Sequence, residues 1–257
     1  MKVSDQPEEI SGLMKPPQNF SVNDGAGIRT TLFLAGCPLR CQWCANPECI
    51  ALDKKQGIAS YSVEQVLSII DKQKIFYRHS GGGVTFSGGE ATLQRQFLDK
   101  LSLQLYDDGV DLALETSGYF NFEKVEAILK RMDLIFIDIK LMDNQQHKLF
   151  TGRGNRLILD NIKKIAQLGK NTEIVIRIPV IEGVNAYPEN IRETALFVKQ
   201  YLKKPKIELL PYHTLGHYKY EQLGLAQPSA SFAIPLQSKM LSFEKMIQAL
   251  AVEVVHY

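Results

Sequence analysis

The chain has 257 residues, of which 45% are hydrophobic and 23% charged, and its formal net charge is +2. This length suits one large domain or two small ones, and the near-neutral charge, without a basic stripe interleaved with aromatic residues, gives no indication of a nucleic-acid partner. The first ten residues are mostly polar, and about 18 consecutive apolar residues occur nowhere, so we expect no signal peptide, no membrane span and a cytoplasmic protein.

In chain order, residues 1–19 form a predicted lead-in segment that ends shortly after two consecutive prolines. After it, short apolar β-type runs alternate with helical patterns through residues 20–257, which we interpret as a single domain. The runs predict strands at residues 30–35, 84–87, 111–115, 134–139, 173–179 and 206–210. Their nearly continuous hydrophobicity is typical of strands buried on both faces of a parallel sheet.

Helical patterns lie between the predicted strands. Ser62 and Gln65 have the spacing of a capping box, which predicts a helix start, and Asn121 precedes a second amphipathic run. Further helical patterns cover residues 92–107, 157–169, 188–203 and 239–251. Six β–α units in succession imply a parallel sheet with right-handed crossovers, which is either an open doubly wound sheet or a partial barrel.

A polar or glycine-rich group lies at the C-terminal end of each predicted strand. In chain order these groups lie at residues 36–37, 87–90, 115–118, 138–140, 177 and 212–213. Barrel enzymes build their active sites at that rim, whereas an open sheet concentrates such groups at one switch point. We therefore predict an α/β fold, a partial (β/α)6 barrel with N- and C-terminal extensions.

All four cysteines lie between positions 37 and 49, which favours a metal centre in a reducing compartment over a disulfide framework. Cys37, Cys41 and Cys44 are spaced to wrap around one face of an iron–sulfur cube. A cubane usually takes four cysteine ligands, so three close ones leave an iron open to bind a substrate. We predict such a cluster here, against the alternatives of a zinc site or unliganded core cysteines.

Cys49 leaves two interpretations open. It is either a fourth ligand, which would close the cluster for electron transfer only, or a structural thiol that does not bind iron. Asn46 and Pro47 are expected to turn the chain away from the loop, which favours the structural thiol.

Four motifs occur in an order that resembles the radical S-adenosylmethionine superfamily and, more narrowly, the glycyl-radical-enzyme activating enzymes. They are DGAGIR at 24–29, GCPLRCQWCANPE at 36–48, SGGGVTFSGGE at 80–90 and LLPYH at 209–213. The likeness runs from about residue 19 to residue 222. It implies a [4Fe–4S] cluster on Cys37, Cys41 and Cys44, with S-adenosylmethionine on the fourth iron. A 5′-deoxyadenosyl radical would then take hydrogen from a glycine of a partner such as pyruvate formate-lyase. The resemblance implies no general acid or base.

The same resemblance implies which residues contact the cofactor. They are Trp43, Cys44, Ala45, Gly88, Gly89, Glu90, Glu115, Thr116, Asp138, Ile139, Lys140, Arg177 and His213. Glu115 would lie near the carboxylate of the methionine moiety, and these two like charges would repel unless a cation or Lys140 lay between them. A monovalent cation beside Glu115 and Thr116 is therefore a further expectation. Trp43 either covers the adenine or packs the loop, and Arg177 either pairs with a carboxylate of the cofactor or forms a structural ion pair.

This sequence departs from the family pattern at three places. Ala26 replaces a common proline, and Ala45 stands where many relatives have a histidine. Residues 50–62 contain no cysteine, whereas many relatives insert a ferredoxin-like domain with further clusters there. We therefore expect one cluster and a separate electron donor, for which the family implies a flavodoxin or ferredoxin. Because oxygen should destroy an exposed cluster, we also expect anaerobic function, and we expect a monomer.

Two kinds of rival function stay open at this point. One is a radical enzyme that acts on a small molecule or RNA rather than on a protein. The other is non-catalytic: an electron carrier with Cys49 as the fourth ligand, or an interaction module built on zinc.

Overall fold

The computed structural model describes residues 10–54, 57–168 and 172–257. Residues 1–9 of the predicted lead-in segment and residue 169 of a predicted helix lie outside the described residues. The strands are β1 Ser11–Met14, β2 Gln18–Ser21, β3 Arg29–Leu34, β4 Ala59–Ser62, β5 Gly83–Gly88, β6 Asp111–Thr116, β7 Leu134–Asp138, β8 Glu173–Val180, β9 Lys206–Pro211 and β10 Glu253–Val254. The helices are α1 Val63–Asp71, α2 Lys74–Ser80, α3 Arg95–Asp107, α4 Phe122–Leu129, α5 Asn144–Thr151, α6 Arg156–Ile165, α7 Pro188–Tyr201, α8 His217–Gln222 and α9 Gln237–Ala249.

All described strands belong to one sheet, in the order β10-β9-β8-β7-β6-β5-β3-β1-β4, with β2 paired to β3. The pairs from β3 through β9 to β10 are parallel, whereas β1 and β2 pair antiparallel with β3. The six predicted strands correspond to β3, β5, β6, β7, β8 and β9. The predicted partial (β/α)6 barrel is therefore confirmed, and among the described strands the sheet path closes no ring.

The core has two layers because side chains of a strand point alternately to its two faces. On β7, Ile135 and Ile137 are fully buried among the surrounding helices. Phe136 points to the opposite face, into the barrel, where it packs with Ala113 of β6 and Val175 of β8. Burial on both faces explains why these strands are apolar almost without interruption.

Local signals set the starts of several helices. The capping box predicted before α1 is present: the Gln65 amide donates to Ser62 Oγ at 3.2 Å, and the Ser62 amide donates to Gln65 Oε1 at 2.9 Å. The Asn121 side chain accepts a hydrogen bond from the Lys124 amide at the start of α4. Each bond satisfies a backbone amide that the helix itself leaves unpaired.

The sequence patterns did not predict β1, β2, β4, β10 or helices α2, α5 and α8. These strands have two to four residues, and α8 has six. In segments this short, the hydrophobic periodicity of a strand or a helix does not repeat often enough to be recognised. The division of the chain at residue 19 stays a prediction, although β1 and β2, which lie around that position, both pair with β3. In the described part of the chain, every helix is too short or too polar to span a bilayer.

Candidate active site

The cysteine loop follows β3 and is fastened at its start by its own returning segment. The Gly36 amide donates to the Cys49 carbonyl at 2.8 Å, and the Cys37 amide donates to the Ile50 carbonyl at 3.0 Å. Cys49 and Ile50 lie at the end of a short 3-10 helix, Pro47–Cys49, that closes the loop. The chain therefore leaves and re-enters the barrel rim at one place, which gives the thiols a fixed base.

The middle of the loop is fastened to the C-terminal end of α5. The Arg40 amide donates to the Thr151 carbonyl at 2.7 Å, and the Gln42 amide donates to the Phe150 carbonyl at 3.1 Å. Carbonyl groups in the last turn of a helix have no hydrogen-bond donor within the helix, and the loop amides supply donors to two of them here. Because the sequence analysis did not predict α5, it missed this support.

Helix α8 fastens the end of the loop. The Tyr220 hydroxyl donates to the Cys44 carbonyl at 2.8 Å, and Lys219 Nζ donates to the Ala45 carbonyl at 2.9 Å. Lys219 also forms a 2.9 Å ion pair with Glu48, whose carboxylate is only 9% exposed. Sequence reasoning did not predict these contacts. Glu48 was only the last residue of a quoted motif, and no motif marks Lys219 or Tyr220 on the short helix α8.

The residues Cys37, Cys41 and Cys44 are partly exposed as a whole, while their thiols lie on the buried side. Burial raises the pKa of Cys37 and Cys44 to about 12 and also raises that of Cys41. As free thiols they are therefore neutral, whereas a coordinated metal holds cysteine as thiolate. In the described residues, no three Cys, His, Asp or Glu side chains converge on a position for a single metal ion. Three soft donors on one short, fixed loop fit an iron–sulfur cluster, which takes one thiolate for each iron.

Cys49 lies behind the loop rather than on it. Its side chain is fully buried in a small apolar cluster with Ala35 and Ile58, and burial raises its pKa to about 12. This placement favours the structural thiol over the fourth ligand.

Gly88 and Gly89 bring the end of β5 against the cysteine loop. Gly88 has a φ of +117°, and a Cβ there would lie 2.1 Å from the Leu34 carbonyl oxygen. A Cβ on Gly89 would lie 2.4 Å from the carbonyl oxygens of Cys49 and Gly36. The Gly89 amide donates to the Leu34 carbonyl at 2.9 Å. These glycines are therefore required for backbone packing beneath the loop, and the Gly89 amide is already used there.

Glu90 ties the ends of β5 and β6 together. Its carboxylate is almost fully buried and accepts hydrogen bonds from Thr92 Oγ1 at 2.7 Å, Thr116 Oγ1 at 2.8 Å and Ser117 Oγ at 2.6 Å. The Ser117 amide donates to the same carboxylate at 2.9 Å. The carboxylate thus holds two neighbouring strand ends in register, and Thr116 uses its hydroxyl in the same network.

Arg177 joins two acidic side chains inside the barrel. Its Nε donates to Glu208 Oε2 at 2.6 Å, and its Nη1 donates to Glu115. Its guanidinium lies 3.5 Å from the centre of the Phe136 ring. Ser87 Oγ donates to the other oxygen of Glu115 at 2.5 Å. Arg177 thus forms a structural ion pair, which is one of the two roles considered for it in the sequence analysis. Glu208 was not predicted, although an acidic residue within the apolar run of β9 indicated a buried partner.

The balance of charge around Arg177 is negative, since one guanidinium faces two carboxylates. Burial raises the pKa of Glu115, and nearby Asp24 adds to the shift although Arg177 opposes it. Asp24 itself accepts a hydrogen bond from Thr31 Oγ1 at 2.6 Å. Asp24 was quoted in a motif but was not predicted as a site residue.

Asp138 ends β7, Lys140 follows two residues later, and the two side chains share one face, as their spacing predicts. Lys140 Nζ donates to Asp138 Oδ2 at 2.5 Å, and the two side chains are 9% and 30% exposed respectively. Burial alone would lower the pKa of Lys140, but the neighbouring Asp138 carboxylate opposes this effect and the pKa is raised. Lys140 therefore keeps its positive charge beside the cysteine loop, paired with the Asp138 carboxylate.

The remaining predicted residues are placed in different ways. The side chain of Ile139 is buried among the helices of the core, away from the loop. Trp43 is 8% exposed and packs against Phe150 and Phe232, with ring centroids 6.2 and 6.3 Å away. Trp43 therefore packs the loop, while His213, after β9, is exposed.

Comparison with known proteins agrees with this geometry. The sequence model of the Radical SAM superfamily matches residues 31–198. The trans-4-hydroxy-L-proline dehydratase activating enzyme of Clostridioides difficile is 33% identical over 288 aligned positions, covering 90% of this chain and 94% of that protein. The pyruvate formate-lyase-activating enzyme of Clostridium pasteurianum is 35% identical over 241 positions, covering 94% and 99%.

A solved domain of pyruvate-formate lyase-activating enzyme from Bacteroides vulgatus ATCC 8482 superposes with a TM-score of 0.57 at 30% identity, covering 68% of this chain and 98% of that one. The two alignments with the clostridial proteins cover similar shares of this chain but differ in length, so the C. difficile protein carries inserted residues that this chain lacks. The chain belongs to the radical SAM superfamily and, within it, to the glycyl-radical-enzyme activating enzymes.

Proposed function

We propose that this chain activates a glycyl radical enzyme, either pyruvate formate-lyase or a relative, by reductive cleavage of S-adenosylmethionine. The observation that carries the proposal is the cysteine loop of residues 37–44, fixed at its start, middle and end on the rim of a partial barrel. Membership of the activating-enzyme family supports it.

We assign the cluster ligands to Cys37, Cys41 and Cys44. A [4Fe–4S] cluster on these thiolates would supply one electron for cleavage of the sulfur–C5′ bond of S-adenosylmethionine, which would yield methionine and the 5′-deoxyadenosyl radical needed to remove hydrogen from the Cα of a glycine. The protein contributes orientation and excludes competing reactions, so no side chain acts as a general acid or base.

Lys140 places a buried positive charge beside the loop thiols, which offsets the negative charge of thiolates held in a poorly hydrated site. It also offers a cationic partner for the carboxylate of the methionine moiety. Asp138, which is partly exposed, is oriented by Lys140 and accepts from hydroxyls of the ribose. His213 and the backbone around Ala45 and Ile139 complete the adenosine end of the proposed site.

Glu115 and Thr116 border the methionine end of the site, and Gly88, Gly89 and Glu90 shape its floor. Two carboxylates against one guanidinium leave an unbalanced negative charge close to where a further carboxylate would bind. A monovalent cation beside Glu115 would offset that repulsion, and we include it in the proposal.

The chain is further proposed to carry a single cluster and to function as a monomer in the cytoplasm of anaerobically growing cells. The electron then comes from a separate flavodoxin or ferredoxin. Partial exposure of the residues Cys37, Cys41 and Cys44 supports the proposal of anaerobic function, because oxygen can reach a cluster near the surface.

The test is anaerobic activation of candidate partners, starting with pyruvate formate-lyase and the trans-4-hydroxy-L-proline dehydratase. We expect an electron paramagnetic resonance signal of a glycyl radical in one partner, absent with Cys41→Ala. Cleavage of S-adenosylmethionine without a radical in any glycyl radical enzyme would contradict the proposal and favour a small-molecule or RNA substrate.

A further inference from the structure

The outer face of the cysteine loop is cationic. Arg40, on the loop, and Lys148 and Arg153, at the end of α5, are all exposed, and Leu149 between them is 62% exposed. Residues 36–47 and 144–156 contain no Asp or Glu. We call Arg40, Lys148, Leu149 and Arg153 the basic face.

Backbone contacts bring these four residues together. The Arg40 amide donates to the Thr151 carbonyl at 2.7 Å, and the Gly152 amide donates to the Lys148 carbonyl at 2.9 Å. A Cβ on Gly152 would lie 3.6 Å from Arg40 Cβ, so the stem of Arg40 passes over this glycine. The basic face is therefore one surface around the end of a single helix.

The opposite flank of the loop differs in charge. There Lys15 and Lys219 both lie 2.9 Å from Glu48, whose carboxylate offsets part of their positive charge. On the basic face, by contrast, Arg40, Lys148 and Arg153 form no ion pair with any carboxylate in residues 10–54, 57–168 and 172–257. Their positive charge is consequently available to a partner.

We propose that the basic face docks an acidic one-electron carrier protein, an inference that rests on the proposed function. The carrier is oxidised by one electron, the iron–sulfur site behind the face is reduced by one, and no bond or proton is exchanged. Arg40 lies between Cys37 and Cys41, and its Nη1 donates to the Cys37 carbonyl at 2.5 Å, so the electron enters next to two ligands. Leu149 supplies apolar contact at the centre of the small interface that is typical of electron-transfer complexes.

A glycyl radical enzyme fits the basic face less well. The proposed cofactor residues Asp138 and Glu115 lie at the rim and in the interior of the barrel, whereas the basic face lies on the outer side of the loop, against α5. A protein bound there would not bring a glycine to the barrel interior. An electron, in contrast, has to reach only the loop itself.

The test uses the cluster-loaded protein and the double variant Lys148→Glu/Arg153→Glu, which changes no proposed cofactor residue. The matched control is Lys199→Glu/Lys245→Glu, on α7 and α9, which reverses two exposed charges away from the loop. The probes are flavodoxin, which is an acidic flavin carrier, and photoreduced 5-deazaflavin, a small donor that needs no docking. Flavodoxin affinity is measured by calorimetric titration, and cluster reduction is followed by its absorbance.

At low ionic strength we expect the double variant to bind flavodoxin about tenfold more weakly than the unmodified protein does. We also expect flavodoxin to reduce it about tenfold more slowly. The difference should shrink in high salt, because screening shortens the range of the charges. Reduction by 5-deazaflavin should not change, and the control variant should match the unmodified protein throughout.

Equal flavodoxin binding by the two double variants would overturn the inference. It would also be overturned if Lys148→Glu/Arg153→Glu lost as much reduction by 5-deazaflavin as by flavodoxin, because the loop itself would then be damaged. Normal flavodoxin reduction with impaired activation of the glycyl radical enzyme would assign the basic face to that enzyme instead. Failure of the proposed function looks different, because the unmodified protein would then give no 5′-deoxyadenosine even with 5-deazaflavin.

Discussion

Arg177 is the residue on which the interior charges of the barrel depend. It pairs with Glu115 and Glu208 while only 6% exposed, so removing it leaves two carboxylates in a poorly hydrated site. We expect Arg177→Met to lower the free energy of unfolding by about 3–5 kcal/mol. The measurement is equilibrium unfolding in urea.

Arg131→Met is the matched control for that experiment. Arg131 pairs with Asp99, which is 45% exposed, so the loss should stay below about 1 kcal/mol. Similar losses in the two variants would show that the interior pair is no more important than a surface one.

His147 gives the stability a dependence on pH. It is 1% exposed, and its Nδ1 lies 2.6 Å from the Arg153 carbonyl oxygen. Burial lowers the pKa of His147, and nearby Lys140 adds to the shift although the Arg153 carbonyl opposes it. The unfolded chain therefore binds a proton that the folded chain does not, and stability is lost as the pH falls below the usual value of about 6.5.

We expect the free energy of unfolding to fall between about pH 7 and pH 5, and the fall to be smaller in His147→Gln. Urea unfolding at several pH values within that range measures the difference between the two proteins. Parallel curves would mean that His147 does not contribute to the dependence.

Among the structural elements, the β5 end supports the cysteine loop through Gly89. A Cβ there would lie 2.4 Å from two backbone oxygens, and backbone cannot rotate away as a side chain can. We expect Gly89→Ala to displace the loop, so that reconstitution yields less than half the iron per chain of the unmodified protein. Gly109→Ala is the control, since nothing lies within 4 Å of a Cβ there and its positive φ of +69° costs only about 1–2 kcal/mol. Full iron content in Gly89→Ala would refute the requirement.

Helix α8 supports the other end of the loop through Tyr220. The hydroxyl bond to the Cys44 carbonyl is one neutral hydrogen bond, which stabilises by about 1 kcal/mol. We expect Tyr220→Phe to release iron to a chelator up to about fivefold faster. Tyr218→Phe, on the same helix but 57% exposed, is the control and should release iron at the normal rate. Equal rates in all three proteins would show that α8 does not hold the loop.

The sequence predicted those strands and helices that are marked by a local pattern, either a run of apolar residues or a capping motif. Six apolar runs marked the parallel strands, and the capping box at Ser62 marked the start of α1 within one residue. The supports of the loop were not predictable in this way. Thr151, Tyr220 and Glu48 act through contacts between distant segments, and the roles of Gly89 and Glu90 in packing appear only once β5, β6 and the loop are in place. Glu208 was visible as an acid in a buried strand, but its partner Arg177 is 31 residues away.

At the scale of the whole molecule, the barrel places the proposed contacts of the cofactor at the C-terminal ends of parallel strands or in the turns that follow them. Their shared direction brings residues as distant in sequence as Cys37 and His213 to one rim. Three separate segments hold the cysteine loop on this rim. That arrangement explains why a short loop can serve as the centre of the proposed chemistry.

The central claim is that the three loop thiols carry a cluster that cleaves S-adenosylmethionine. The most direct measurement is anaerobic reconstitution with iron and sulfide, followed by a strong reductant and S-adenosylmethionine, with quantification of 5′-deoxyadenosine. The account predicts product that is retained in Cys49→Ala and lost in Cys41→Ala. An intact brown cluster without 5′-deoxyadenosine, or a cluster that disappears in Cys49→Ala, would contradict it and favour an electron carrier.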